Sequence, residues 1–163
     1  MAKKPNKAKA LPIHILNGPN LNLLGSREPE IYGKTTLGQI KKACAARAKA
    51  HGFSILFDQS NKEGALVDMI QAARTKSCAV IINAAAYTHT SVAVLDALKM
   101  LSVPVIEVHL SNPARRENFR HTSYVAMGAT GTVAGFGLNS YLLAIDAVAA
   151  ILLKKEAPGG KKK

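Results

Sequence analysis

Cys78-Ala79-Val80-Ile81-Ile82-Asn83 is the stretch on which the fold turns. Five apolar residues run without alternation and stop at an amide, the pattern of a short strand covered on both faces. Such a strand needs a layer above it and another below, and the flanking sequence supplies helices for both. Upstream, Asn61 can cap a helix in which Leu66, Met69, Ile70 and Ala73 recur at helical spacing. Downstream, Thr90 or Ser91 opens a helix through Val94, Leu95 and Leu98.

The same alternation continues outward. A first strand over Leu11 to Leu16 leads through a Gly/Pro/Asn-rich connection to a helix beginning near Thr35 or Thr36, with Leu37, Ile40, Cys44 and Ala48 on one face and Gly52 as its stop. Phe53 to Phe57 reads as the second strand, Pro104 to Val108 as the fourth, Gly131 to Ala134 as the fifth, and Asn139 to Lys154 as the last helix. Strands that alternate with single helices form right-handed βαβ units and a parallel sheet. The expected class is α/β, a flavodoxin-like three-layer fold with a five-stranded parallel sheet. Ligands of such sheets lie outside the carboxyl ends of the strands.

At 163 residues the chain suits one domain, expected over 11–153, with basic disordered tails over 1–10 and 154–163. The net charge of +12 invites a nucleic-acid partner, but its distribution argues against one. Nine Lys and one acid place +8 in the tails, leaving +4 on the body, so solvated tails are the plainer reading and a tether to RNA or a membrane the alternative. The apolar runs at Ala79 to Ile82 and Leu142 to Leu153 fall short of the roughly 20 residues that span a bilayer, and Asp146 interrupts the second. No signal-peptide pattern is present at the N-terminus, and a soluble, cytoplasmic protein without a membrane partner is expected. Cys44 and Cys78 have neither disulfide nor metal-ligand spacing and read as packing residues.

Polar side chains crowd three segments, each beginning where a strand should end: Asn17 onward to Arg27 and Tyr32, Asn83 to Ser91, and Glu107 to Arg120. Polar groups held near a core are costly unless they do chemistry, so an active site is the leading reading. Residues 18–33 form a long connection without hydrophobic period, suited to a functional loop. Within it, Tyr32 is either a packing residue or a general base whose phenolate is stabilised by a cation such as Arg27 or Arg120. His109 follows Glu107 by two residues, so both project from one strand face, and a carboxylate beside an imidazole fixes its tautomer and suits it to acid catalysis. His89 lies at a helix N-terminus rich in donors; for either histidine a structural role is the alternative. His14 and His51 lack such company and are assigned no function. There is no phosphate loop, no dinucleotide fingerprint and no nucleophile elbow, which leaves acid/base chemistry: isomerisation, elimination or hydrolysis.

Ile15-Leu16-Asn17-Gly18-Pro19-Asn20-Leu21-Asn22-Leu23-Leu24-Gly25, with Arg27-Glu28-Pro29 and Tyr32-Gly33, resembles the opening signature of the type II 3-dehydroquinate dehydratases. The resemblance continues through Gln59-Ser60-Asn61, Ile82-Asn83-Ala84, Thr88-His89-Thr90-Ser91, Ile106 to Asn112, Arg116-Glu117 and Phe119-Arg120. It implies a subunit, commonly assembled as a dodecamer of trimers, that dehydrates 3-dehydroquinate to 3-dehydroshikimate without metal or cofactor. It further implies that Tyr32 takes the C2 proton, that Arg27 lowers the Tyr32 pKa, and that Asn20 helps hold a water on the enolate. His109, oriented by Glu107, would protonate the departing hydroxyl in an anti elimination. Substrate binding would fall to Asn83, His89, Leu110, Ser111 and Arg120, with Asp96 contributing across a subunit boundary. Ala85 stands where the family usually places Gly, and Pro113-Ala114-Arg115 replaces the commoner residues after Ser-Asn. The rival readings are the same reaction in quinate catabolism, and a non-catalytic binding module with basic tails. Biosynthesis of aromatic amino acids through the shikimate pathway is the expected context.

Overall fold

The computed structural model describes residues 11–26 and 34–156. Arg27, Tyr32 and residues 1–10 and 157–163 lie outside the described residues. Five strands, β1 (Ile13–Asn17), β2 (Ile55–Gln59), β3 (Ala79–Asn83), β4 (Val105–His109) and β5 (Gly131–Ala134), form one sheet in the order β2-β1-β3-β4-β5, all neighbours parallel. This is the flavodoxin-like order expected from the alternation. Its reversal of direction falls between β1 and β3, where open α/β sheets form their ligand crevice.

The first four strands end one or two residues later than their apolar runs suggest. Backbone ladders do not require apolar side chains, so Asn17 still pairs with Gln59 and Asn83 after the hydrophobic pattern has ended. Of the polar residues at these strand ends, Asn83 and His109 line the crevice.

Between the strands run α1 (Leu37–Ala50), α2 (Glu63–Lys76), α3 (Val92–Lys99), α4 (Tyr124–Gly128) and α5 (Leu138–Glu156). Thr36 starts α1 with a reciprocal cap: its hydroxyl accepts from the Gln39 N–H at 3.2 Å while the Gln39 side chain accepts from the Thr36 N–H at 2.9 Å. Ser91 caps α3 through the Val94 N–H at 2.9 Å. Asn61, in contrast, does not cap α2, whose entry is held by the Ser60 hydroxyl accepting from the Lys62 N–H. Its side-chain oxygen instead accepts from the Asn20 N–H at 2.9 Å and from Gln59 at 3.0 Å, tying the loop after β1 to the end of β2. The last helix runs two residues past Lys154, and α4 has no counterpart in the sequence reading because one short turn shows no period.

Alternate strand residues feed two separate cores. Ile13, Ile15, Ala79, Ile81, Ile106 and Val108 pack with Ile40 and Cys44 of α1 and with Tyr141, Ala144, Ile145 and Val148 of α5. On the other face, Leu16, Val80, Ile82 and Val105 meet Leu66 and Ile70 of α2, Val94 and Leu98 of α3, and Val125 of α4. Burying one such Ile, Leu or Val side chain contributes about 1.5–3 kcal/mol, so the central run of β3 anchors both layers. The same parity sends Asn17 and Asn83 toward α5, and Glu107 and His109 toward the opposite layer. No helix of the described residues is long and apolar enough to cross a membrane.

Candidate active site

A cleft of about 90 Å³, open to solvent, lies across the carboxyl ends of β1, β3 and β4. Its walls include Asn20, Asn83, His89, His109, Leu110, Ser111 and Arg120, so seven of the residues expected to serve the site converge there. Glu107 stands directly behind His109. Asp96 is exposed on α3 and does not line this chain's cleft.

Three features of the chain shape the floor. Gly18 lies so close to the turn after β3 that a side chain there would put its Cβ 2.3 Å from the Ala84 carbonyl oxygen, which explains why a glycine opens the loop. The two non-glycine residues at positive φ among the described residues, Asn20 (67°) and Ala85 (50°), both line the cleft. Asn tolerates this region, whereas for Ala it costs about 1–2 kcal/mol. Ala85, the departure from the family pattern, therefore keeps the backbone conformation a glycine would take, with strain located at the site. In addition, the first half of the long loop is not open coil: Leu21 and Leu24 are buried in the core around a short turn, Leu21–Leu23.

Glu107 and His109 form a hydrogen-bonded pair at the site. The His109 Nε2 lies 2.8 Å from Glu107 Oε1, and Glu107 is 1% exposed. The Ser123 hydroxyl donates to the same oxygen at 2.6 Å, Thr88 donates to it as well, and Thr132 donates to Oε2 at 3.1 Å. Burial pushes the Glu107 pKa up, but the bonds from His109, Ser123 and Thr88 outweigh it and hold the carboxyl at about 2. An ionised carboxylate only accepts, so Nε2 must carry its proton toward Glu107. Nδ1 is then the nitrogen His109 offers to the cleft, and an acid proton delivered by this ring leaves from Nδ1.

His89 stacks against His109 with ring centroids 6.4 Å apart and planes 11° from parallel. Its Nδ1 faces the Thr122 carbonyl at 2.8 Å, an oxygen that can only accept, so this nitrogen bears the proton and Nε2 presents a lone pair in the neutral ring. Burial pushes the His89 pKa down; the Thr122 bond opposes this, while the His109 and Arg120 charges add to the lowering. In the neutral form each ring thus spends its N–H on a protein oxygen and keeps a lone pair on the other nitrogen, so His109 donates from Nδ1 only as the imidazolium. Arg120 is held by Glu117 at 2.9 Å and lies over the Phe119 ring, which leaves its guanidinium at the cleft wall.

Two groups of supporting residues escaped the sequence reading. Thr88, Ser123 and Thr132 come from three elements to hold one carboxylate, and isolated hydroxyls give no pattern in sequence. Tyr141 lies on the apolar face of α5, where helical spacing makes it read as core. His14 and His51 also require correction, because both do have carboxylate partners: Asp58 at 2.7 Å and Asp146 at 2.7 Å. Those partners are 44 and 95 residues away in sequence, beyond the reach of local spacing. Among the described residues, no group of three or more His, Cys, Asp or Glu side chains is placed to hold a metal ion.

Comparison with known proteins identifies the family. Residues 11–149 match the family described as dehydroquinase class II. A 3-dehydroquinate dehydratase from Caulobacter sp. (strain K31) is 62% identical over 141 residues, covering 86% of this chain and 96% of the relative. Its counterpart from Phenylobacterium zucineum is 60% identical over 140 residues, with 86% and 97% covered. Among solved structures, the type II dehydroquinase from Propionibacterium acnes superposes with a TM-score of 0.83 at 42% identity, covering 86% of this chain and 97% of that one. With the family matched across nearly the whole described fold, and its sheet order and cleft in place, the chain belongs to the class II dehydroquinases.

Proposed function

We propose that this chain is a 3-dehydroquinate dehydratase that removes water from 3-dehydroquinate by anti elimination through an enolate. The observation that carries the reading is His109, backed by an ionised Glu107 and open to a cleft at the carboxyl edge of the sheet. A β-hydroxyketone requires a base for the proton beside the ketone and an acid for the poor hydroxide leaving group, each worth about 10²–10⁴-fold. Tyr32, as phenolate, takes the C2 proton to give the enolate, and Arg27 supplies the positive charge that favours that phenolate. Electrons of the enolate then form the C1–C2 double bond as the C1–O bond breaks, and His109 Nδ1 protonates the departing oxygen, which leaves as water. Return of the proton from Tyr32 to His109 completes the cycle.

Asn20 helps hold a water at the enolate oxygen, while Asn83, His89, Leu110, Ser111 and Arg120 bind the polyhydroxylated carboxylate. Exposure of Asp96 away from this chain's own cleft supports a role across a subunit boundary, in an oligomer of trimers reaching a dodecamer. The proposed setting is the cytoplasm and the shikimate pathway, with the reaction needing neither metal nor cofactor. Purified protein treated exhaustively with chelator should generate the ultraviolet absorbance of a conjugated enone from 3-dehydroquinate. Activity that disappeared on chelation and returned with a divalent ion would overturn the cofactor-free mechanism, and no turnover at all would overturn the reading.

A further inference from the structure

Behind the cleft floor, a run of hydrogen bonds crosses three strands and one helix, and every bond in it has a fixed direction. The Tyr141 phenol on α5 lies 2.7 Å from Asn17 Oδ1 and 3.0 Å from Asn83 Nδ2. Asn17 Nδ2 donates to the Asp58 carbonyl at 3.0 Å, and Asn83 Oδ1 accepts from the Ala85 N–H at 3.2 Å. One end of the run is a backbone carbonyl that can only accept and the other a backbone N–H that can only donate, so neither amide can be turned over without losing its bonds. The phenol must then donate to Asn17 and accept from Asn83.

Asn17, Asn83 and Tyr141 are all buried, Tyr141 completely. Burial pushes the Tyr141 pKa up, against the smaller opposing effect of the Asn83 bond, so the phenol keeps its proton and the direction of the run persists at working pH. Asn83 is the member that lines the cleft. After the bonds to Tyr141 and Ala85, its amide retains one N–H for a ligand.

We propose that Tyr141 is a positioning residue for substrate binding: its hydroxyl fixes the Asn83 amide so that an N–H, and not the carbonyl, meets an oxygen acceptor of the substrate. This rests on the dehydratase reading and deepens it. Tyr141 touches no ligand and acts only through Asn83.

A double-mutant cycle on the full chain tests this. With 3-dehydroquinate, Tyr141→Phe should raise KM about tenfold with kcat changed far less, because the Asn83 amide is then held by the Ala85 N–H alone and loses the second anchor that fixes its plane. In an Asn83→Ala background the same change should cost less than about twofold. An undiminished cost in that background, or a loss in kcat with KM unaltered, overturns the inference while leaving the function intact. Wild-type protein that leaves 3-dehydroquinate untouched overturns the functional reading and this inference with it. Should Tyr141→Phe not fold, Asn17→Ala withdraws the phenol's acceptor instead. A smaller rise in KM that vanishes in the Asn83→Ala background then supports the inference, and an additive one overturns it.

Discussion

His109 and His14 sit on the same face of the same sheet, and each directs Nε2 at a carboxylate, 2.8 Å from Glu107 and 2.7 Å from Asp58. By pair geometry alone they are equivalent. Their surroundings separate them. His109 ends its strand, offers Nδ1 to a cleft, and leans on a carboxylate that three hydroxyls hold in place deep in the protein. His14 lies inside β1, its Nδ1 is buried without a partner, and Asp58 is half exposed. A ring with no free atom facing a ligand has nothing to transfer, so a histidine–carboxylate pair becomes machinery only where the strand stops and the cleft begins.

Deleting each ring in turn separates the two pairs most strongly. His109→Ala should lower kcat by about 10²–10⁴-fold, as expected for loss of a general acid, while hydrogen exchange at C2 of the substrate survives better than dehydration. Steady-state kinetics and exchange in deuterated water read the two steps separately, and a normally active variant would mean the acid lies elsewhere. Next in size is Glu107→Gln, which keeps the shape but removes the charge that fixes the Nε2 proton; kcat should fall by about 10²-fold, with a smaller change in KM.

Glu107 also predicts a pH window. Its folded pKa of about 2 lies below the ordinary 4.5, so the stability it contributes is complete above pH 4.5 and is lost as pH falls toward 2. Thermal unfolding of wild type and Glu107→Gln should converge over that interval and keep a constant separation from pH 5 to 7. His14→Ala should leave kcat/KM within about threefold of wild type yet reduce stability by about 2 kcal/mol, through loss of a buried ring and its bond. Urea titration checks this, and a large loss of kcat at unchanged stability would contradict the structural role. The smallest effect belongs to Asp58→Asn, where a half-exposed partner is worth about 0.5 kcal/mol or less.

The sheet was legible because its cause is local. Apolar runs of strand length separated by helical periods admit few arrangements once crossovers are right-handed, and the run ending at Asn83 already required cover on both sides. His109 and Glu107 were legible for the same reason, two residues apart on one strand. Asn61 was misread because a capping residue type before a helix is a frequent signal, yet a tertiary partner, the Asn20 N–H, claimed its oxygen. The expectation that His14 and His51 stand alone failed because their carboxylates arrive from distant segments.

Sequence by itself thus determined the parallel α/β order, the strand ends that bear polar groups, and the family to which the chain belongs, since short-range pattern carries each of these. Tertiary structure alone decided which nitrogen of His109 faces the cleft, which hydroxyls keep Glu107 ionised, that Ala85 accepts a left-handed backbone, and that Tyr141 grips Asn83 across 58 residues of chain. Hydrogen-bond direction and burial belong to pairs of groups brought together from far apart. No spacing along one strand or helix encodes them.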